Sequence, residues 1–444
     1  MALACGRGFT LFATEHGDLY GCGLNDKQQL PHTSFRSVAL PSRVARVHFG
    51  GEDVAMVAAS EFLGAAVTKE GSLFCWGRRW TWYNNSSRID ARDLGDSPVA
   101  MADCSCETSV AVTAAGRVFT WGERFTFLPG GILSGFQNVP RQYFDNKKII
   151  KISCGFHHTL AIDEANMLWT WGANDSGQLC MGFANKNSGT TASPVRIESV
   201  DGSGVMHATG GRTHTMVVTA KGSIWACGVG PLNQMGLGTQ TTALQLTRVT
   251  GVDNFGGCGG RMTACGDNHT IFVDLEDRIW VCGSGLYLTL GFESVFCTEP
   301  TQIPDTSTFK NRNVMFASVG YTHSAVVMRN GDVYTWGKGL FCQQLQLFSG
   351  LGHGTIHSQV TPHLLRRELL LGANVGHWHR ASWRLSHRQH VHALLMGITT
   401  RLGDQCPYQN IPVELILRIL DDGMHFEAKY SMSVIKPGAP GASR

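Results

Sequence analysis

The chain has 444 residues, of which 43% are hydrophobic and only 16% charged, and its formal net charge is +3 at neutral pH. So small a charge is no footprint for nucleic acid, which would need a local basic patch. The opening residues lack a basic segment leading into an apolar core and a small-residue cleavage site, and no run of about 18 apolar residues occurs. Secretion and membrane spanning are therefore disfavoured, and an intracellular place, cytoplasmic or nuclear, is expected.

In chain order, one local pattern returns seven times. A strand-like segment ends in an aromatic residue or Cys followed by Gly23, Gly77, Gly122, Gly172, Gly228, Gly283 or Gly337, at intervals of 45 to 56 residues. Seventeen positions upstream of each stands a small residue: Gly6, Ser60, Ser105, Gly155, Gly211, Gly266 and Gly320. Six positions upstream stand Gly17, Gly71, Gly116, Asn166, Gly222, Asp277 and Gly331, residue types that tolerate the positive φ of a tight hairpin. On either side of that turn run segments such as His158-Thr159-Leu160-Ala161-Ile162 and Met167-Leu168-Trp169-Thr170-Trp171, suited to strands of a buried sheet. Lys148 to Ile152 before the hairpin and Pro194 to Ile197 after it suggest two more strands. Four short strands in each of seven units predict an all-β, seven-bladed β-propeller, which reaches this length because every unit adds its own interface.

Fourteen cysteines raise the question of disulfides or zinc. Cys5, Cys104, Cys154 and Cys265 precede the upstream small residue, while Cys22, Cys227 and Cys282 fill the slot held elsewhere by Trp76, Trp121, Trp171 and Trp336. They read as packing residues in a reducing compartment, and no Cys-x-x-Cys pair with zinc spacing occurs. His158, His214, His269 and His323 recur at one offset, but equivalent residues sit a blade's width apart, so a structural hydrogen-bonding role is expected for them. The run Gly256 to Arg261 lacks the Lys-Ser/Thr ending and helix of a phosphate loop, and no nucleophile elbow or His-Glu-x-x-His appears. No catalytic residue, metal site, cofactor or small-molecule substrate is expected.

The segment Ser153-Cys154-Gly155-Phe156-His157-His158-Thr159-Leu160-Ala161, followed by Trp169 to Leu179, resembles a repeat of the regulator of chromosome condensation family. Gly211-x-x-His214-Thr215, Gly266-x-x-His269-Thr270 and Gly320-x-x-His323-Ser324 repeat its first half, and Gln29-Leu30 and Gln344-Leu345 echo its second. The resemblance spans roughly residues 2 to 370 and implies the seven-bladed ring. It also implies guanine-nucleotide exchange on a Ran-type small GTPase, without covalent chemistry. In the first three units Phe9, Leu63 and Thr108 replace the His, and units two and three lack the Asn-x-x-Gly-Gln-Leu turn. The family's ultraviolet-B photoreceptor branch is disfavoured, because no Trp stands between a Gly and Arg-His-Thr here.

Irregular loops on a rigid ring are where specificity is carried. Unit two replaces the usual turn with Arg78-Arg79-Trp80-Thr81-Trp82-Tyr83-Asn84-Asn85, and unit three places Phe125, Phe127, Leu128, Ile132, Leu133 and Phe136 in the matching region. Arg78, Arg79, Trp80, Trp82, Tyr83, Phe125 and Phe127 are the candidate partner-binding residues. The alternative is that these aromatics fold inward.

Beyond the seventh unit, Gly376-His377-Trp378-His379 repeats the Gly-x-x-His half, and residues 371–385 form a candidate ring-closing partial repeat. Residues 386–444 read as a short, partly helical C-terminal extension with a flexible Pro-Gly-Ala end, its first part basic. Ile411-Pro412-Val413-Glu414-Leu415-Ile416-Leu417-Arg418-Ile419-Leu420 is a Pro-opened amphipathic helix that resembles the opening helix of an F-box. Ile411, Pro412, Glu414, Leu415, Ile419 and Leu420 are its candidate adaptor contacts; the alternative is a helix docked on the propeller. The expected function is a non-enzymatic protein-interaction scaffold. Exchange on a Ran-type GTPase and an F-box-like ubiquitin-ligase substrate receptor are the alternatives, and the expected partner is a protein: a small GTPase, chromatin or a ubiquitin-ligase adaptor, with no membrane.

Overall fold

A computed structural model describes residues 1–31, 37–77, 87–89, 94–95, 97–106, 108–122, 137–185, 190–198, 201–250, 258–304, 314–338, 351–353 and 358–365. These form seven four-stranded antiparallel sheets, each built from consecutive strands, so the architecture is a seven-bladed propeller. Blade 4 shows the common plan: β13 (Ile149–Cys154), β14 (His158–Asp163), β15 (Leu168–Ala173) and β16 (Thr190–Ile197). In β14 and β15 His158 pairs with Gly172 and Thr159 with Trp171, which fixes every side chain's face. All seven predicted hairpin positions have positive φ, from 61° at Asn166 and Asp277 to 84° at Gly331.

The second strand is buried along its whole length in all seven blades, as in Leu63–Thr68 and His214–Thr219. This follows from stacking, since a blade has a neighbour on each face and its strands need no polar side. Seven separate apolar clusters result, one per interface. Phe9, Leu11, Val57 and Trp76 join blades 1 and 2, and Ile162, Val205 and Val217 join blades 4 and 5. The ring closes when Leu3, Phe12 and Tyr20 pack on Ala325, Val327 and Leu365. Two short 3₁₀ turns, Arg46–Phe49 and Arg141–Phe144, each insert a Phe between blades. Phe49 meets Phe74 edge-on at 5.4 Å, and Phe144 meets Trp169 at 5.6 Å.

The innermost strand of blade 1 is β1 (Ala2–Cys5), paired residue for residue with β2 (Phe9–Ala13). The candidate closing segment 371–385 and the extension 386–444 lie outside the described residues. Among the described residues no helix is long and apolar enough to cross a membrane.

Candidate functional site

Each innermost strand runs along the central channel and ends at the small residue of the repeat. The residue after it stands at the channel mouth: Arg7, Glu61, Cys106, Phe156, Arg212, Asp267 and Tyr321, around a cavity of about 380 Å³. Arg7 pairs with Glu61, whose other oxygen accepts from the Cys106 thiol at 3.1 Å. Arg212 pairs with Asp267 at 3.0 Å and lies 4.6 Å over the Phe156 ring. Arg7 lies 5.0 Å over Tyr321, whose ring packs at a tilt against Tyr287, and Lys338 caps Tyr287 at 5.9 Å. Cations packed on aromatic faces and tied to carboxylates form a pre-ordered, amphipathic rim, the surface chemistry of protein recognition. Asp267 is held above the ordinary carboxylate range by burial, against the pull of Arg212.

One layer down, Cys5, Cys104, Cys154 and Cys265 line the wall. Burial pushes the thiols of Cys5, Cys104 and Cys265 up to about 12 and that of Cys154 well above its usual value, so they remain protonated. Between Cys104 and Cys154 lies the half-buried Asp103, which accepts from both of their backbone N–H groups at 2.8 Å. Burial still raises its carboxyl to about 6.

The four recurrent histidines form the scaffold beneath this rim. His158 Nε2 meets Thr215 Oγ1 at 2.8 Å, His214 meets Thr270 at 3.0 Å, His269 meets Ser324 at 2.8 Å, and His323 meets Thr10 at 2.9 Å. Each bond crosses to the next blade. Thr215 and Thr270 donate their own hydroxyl protons to Gln178 O and Gln234 O, so the His must be the donor through Nε2–H. Each Nδ1 is buried without a hydrogen-bond partner, leaving a second proton nothing to bind. Burial accordingly lowers these imidazoles to about 3 for His158 and His269 and about 4 for His214 and His323. They are neutral clasps between blades, as their spacing predicts.

The same geometry explains the upstream small residue. A Cβ on Gly155 would lie 2.0 Å from His158 Cε1, and one on Gly6 would lie 2.1 Å from Phe9 Cε1. Where the ring is absent the small residue is Ser, and its Oγ accepts from the backbone: Leu63 N to Ser60 at 3.3 Å and Thr108 N to Ser105 at 2.9 Å. The slot before the ending Gly is a second clasp. Trp76 donates to Gln29 O at 2.7 Å and Trp336 to Thr289 O at 2.8 Å, while Cys282 reaches Gln234 O at 3.3 Å. Cys227, in the same slot, departs from the reading of the cysteines as packing residues alone: it is joined to Cys180 in a disulfide. Their 47-residue separation hides a contact that only the stacking of blade 5 on the blade 4 turn creates.

The predicted partner-binding residues Arg78, Arg79, Trp80, Trp82, Tyr83, Phe125 and Phe127 lie outside the described residues, as do Ile411, Pro412, Glu414, Leu415, Ile419 and Leu420. The strands before the first group, β7 (Leu73–Gly77) and β11 (Val118–Gly122), end on the mouth face. The mouth ring itself is absent from the sequence reading. Its signal was available: one position past the small residue, chemistry varies from Arg to Glu to Phe while both flanks hold their register. Among the described residues no group of three His, Cys, Asp or Glu is placed to hold a metal.

Models of the regulator of chromosome condensation (RCC1) repeat match residues 2–29, 149–178 and 317–343, and a second model of that repeat matches residues 166–218. These stretches of the propeller are thus RCC1-type repeats. It is 30% identical over 209 residues to the ultraviolet-B receptor UVR8 of Arabidopsis thaliana, covering 47% of this chain and 45% of the receptor. Against the secretion-regulating guanine nucleotide exchange factor of Bos taurus it is 29% identical over 194 residues, 44% of this chain and 40% of that one. The chain therefore spans less than half the length of these curated relatives. Among solved structures, Prp20p of Saccharomyces cerevisiae superposes with a TM-score of 0.66 at 17% identity, over 80% of this chain and 87% of that one. Human WBSCR16 gives 0.53 at 21% identity, over 82% and 81%. At such identities the superpositions speak for the fold.

Proposed function

We propose that the chain is a non-enzymatic interaction scaffold that receives a protein partner, inside the cell, on the channel-mouth face. The observation that carries this is the rim itself. Seven residues at one repeat position differ in charge and shape, yet Arg7, Arg212 and Tyr321 are each held by a stacking or ionic partner before any ligand arrives. Such pre-ordering lowers the entropy cost of binding. The strands Leu73–Gly77 and Val118–Gly122, which precede Arg78 to Tyr83 and Phe125 to Phe127 in the sequence, end on this face.

A second reading, exchange on a Ran-type small GTPase, is favoured by the likeness to the bovine exchange factor. Exchange needs only tighter binding of the nucleotide-free GTPase than of the loaded one. Fluorescent-nucleotide release across a panel of small GTPases, with parallel binding of each nucleotide-free form, tests both readings. The comparison includes an Arg7→Ala/Arg212→Ala variant and one with Arg78, Arg79, Trp80 and Trp82 changed to Ala. Release lost in the Arg7→Ala/Arg212→Ala variant assigns exchange to this face, and release lost in the second variant assigns it to the segment after Gly77. Binding without release supports the scaffold, and a captured partner retained undiminished by the Arg7→Ala/Arg212→Ala variant removes the mouth from the binding surface.

A further inference from the structure

The Cys180–Cys227 bond lies where the other blades use a reversible contact. At three other interfaces the residue before the ending Gly donates a hydrogen bond to a carbonyl in the preceding blade's turn: Trp76 to Gln29 O, Cys282 to Gln234 O and Trp336 to Thr289 O. Cys227 faces the corresponding Gln178 O at 3.6 Å and is bonded covalently to Cys180, two residues further along that turn. Cys227 therefore has a place in either oxidation state. Reduced, the Cys227 thiol has the acceptor that Cys282 has in the next blade. Oxidised, the turn is tied to the third strand of blade 5.

We propose that Cys180–Cys227 is a redox clasp, which a dithiol reductant opens, and which sets how tightly the blade 4 turn is held against blade 5 on the mouth face. A reductant thiolate attacks Cys180 Sγ, the S–S bond breaks, and Cys227 leaves as a thiolate that takes up a proton. The reductant's second thiol resolves the mixed disulfide, releasing Cys180 as a thiol and the reductant as its own disulfide, so two electrons and two protons enter the protein. Cys180 is the entry point because, at the end of the turn, it keeps 6% of its surface exposed, while Cys227 has none and lies within a strand.

The consequence passes along named bonds. Gln178 O also accepts from Thr215 Oγ1, the acceptor of the His158 clasp. Ala173 N donates to His157 O, beside Phe156, on which Arg212 rests. Opening the disulfide therefore loosens the turn that anchors the first histidine link and backs the Phe156–Arg212 part of the rim. This inference stands independently of what binds the rim.

The test is sequential alkylation of native protein purified without reductant. A first label blocks free thiols, reduction follows, and a second label marks the released ones for mass spectrometry. The second label is expected on Cys180 and Cys227. In a separate arm, dithiothreitol without denaturant should make both reactive while the protein stays folded, and should lower Tm by about 4 °C. A Cys227→Ser variant should start at the lower Tm and ignore the reductant. First label on either cysteine in the air-purified wild type overturns the proposal. So does a disulfide that native dithiol leaves closed, which makes the bond a fixed staple, and both readouts use the wild type alone should the variant fail to fold.

Discussion

Blades 4 to 7 and blades 1 to 3 solve the same packing problem with different chemistry. In the first group a neutral imidazole fills the space over a glycine and shares a hydrogen bond with a hydroxyl on the following blade. In the second group the space holds the Phe9 ring, or is narrowed by Ser60 and Ser105 beside Leu63 and Thr108. The acceptor is missing at the first of these interfaces: where Thr215 or Thr270 would stand, blade 2 has Gly64, whose Cβ position is 2.5 Å from the Trp76 ring. At the blade 1–2 interface volume and partner change together, whereas Ser109 and Thr159 keep a hydroxyl at that position although Leu63 and Thr108 stand where the His would.

The widest difference between the two halves should appear with pH. His158, His214, His269 and His323 have folded-state values of about 3 to 4 against 6.5 for the free side chain. As pH falls below 6.5 the unfolded chain takes up protons that the folded chain refuses. Their contribution is therefore fully present above 6.5 and lost as pH falls towards 4, with a slope of up to about 5 kcal/mol per pH unit when all four titrate together. Asp103 runs the other way. Its carboxyl is raised to about 6, so the folded chain binds that proton first, and its contribution worsens as pH rises from 3.8 to 6. One carboxyl offsets only part of four imidazoles. Denaturant midpoints between pH 4 and 7 should climb with pH, and a flat profile would show that the belt is not neutral in the folded state.

Next in size is Gly211→Ala. The new Cβ would lie 2.1 Å from His214 Cε1 and 2.7 Å from Gly266 O, so both the ring and the next blade's backbone would have to move. A loss of about 4 kcal/mol is expected in equilibrium unfolding. A loss below about 1 kcal/mol would mean the ring has room that the structure denies it.

Much of this was legible in the sequence because it is periodic. The seven endings, the hairpin positions and the upstream small residues each match an observed strand end, turn or close approach, since a requirement repeated seven times leaves a register that drift does not erase. The histidines were legible for the same reason. The mouth ring was not, because its seven members share a position and no residue type, and periodicity reads types. The disulfide was not, because it joins a turn and a strand 47 residues apart and, among the described residues, occurs in a single interface, where no repeat can announce it. The fixed parts of the repeat thus build the ring, and the surface on which a partner would be read is the part that does not repeat.

The finest test of the comparison is a reciprocal exchange. His214→Phe places in blade 5 the ring that blade 1 already carries over Gly6, and it leaves Thr270 still donating to Gln234 O, so the change forfeits little beyond the lost hydrogen bond. A cost of about 1 kcal/mol is expected, together with the loss of one of the four protons from the pH slope. Phe9→His is not its mirror image. The imidazole would fit the same space, but its Nε2–H would face Gly64, which has no hydroxyl, and the donor would be buried unmet at a cost of about 2 kcal/mol or more. Equal costs for the two exchanges would mean that volume alone governs the slot. Unequal costs in the stated order would show that the acceptor on the following blade decides which ring each blade can carry.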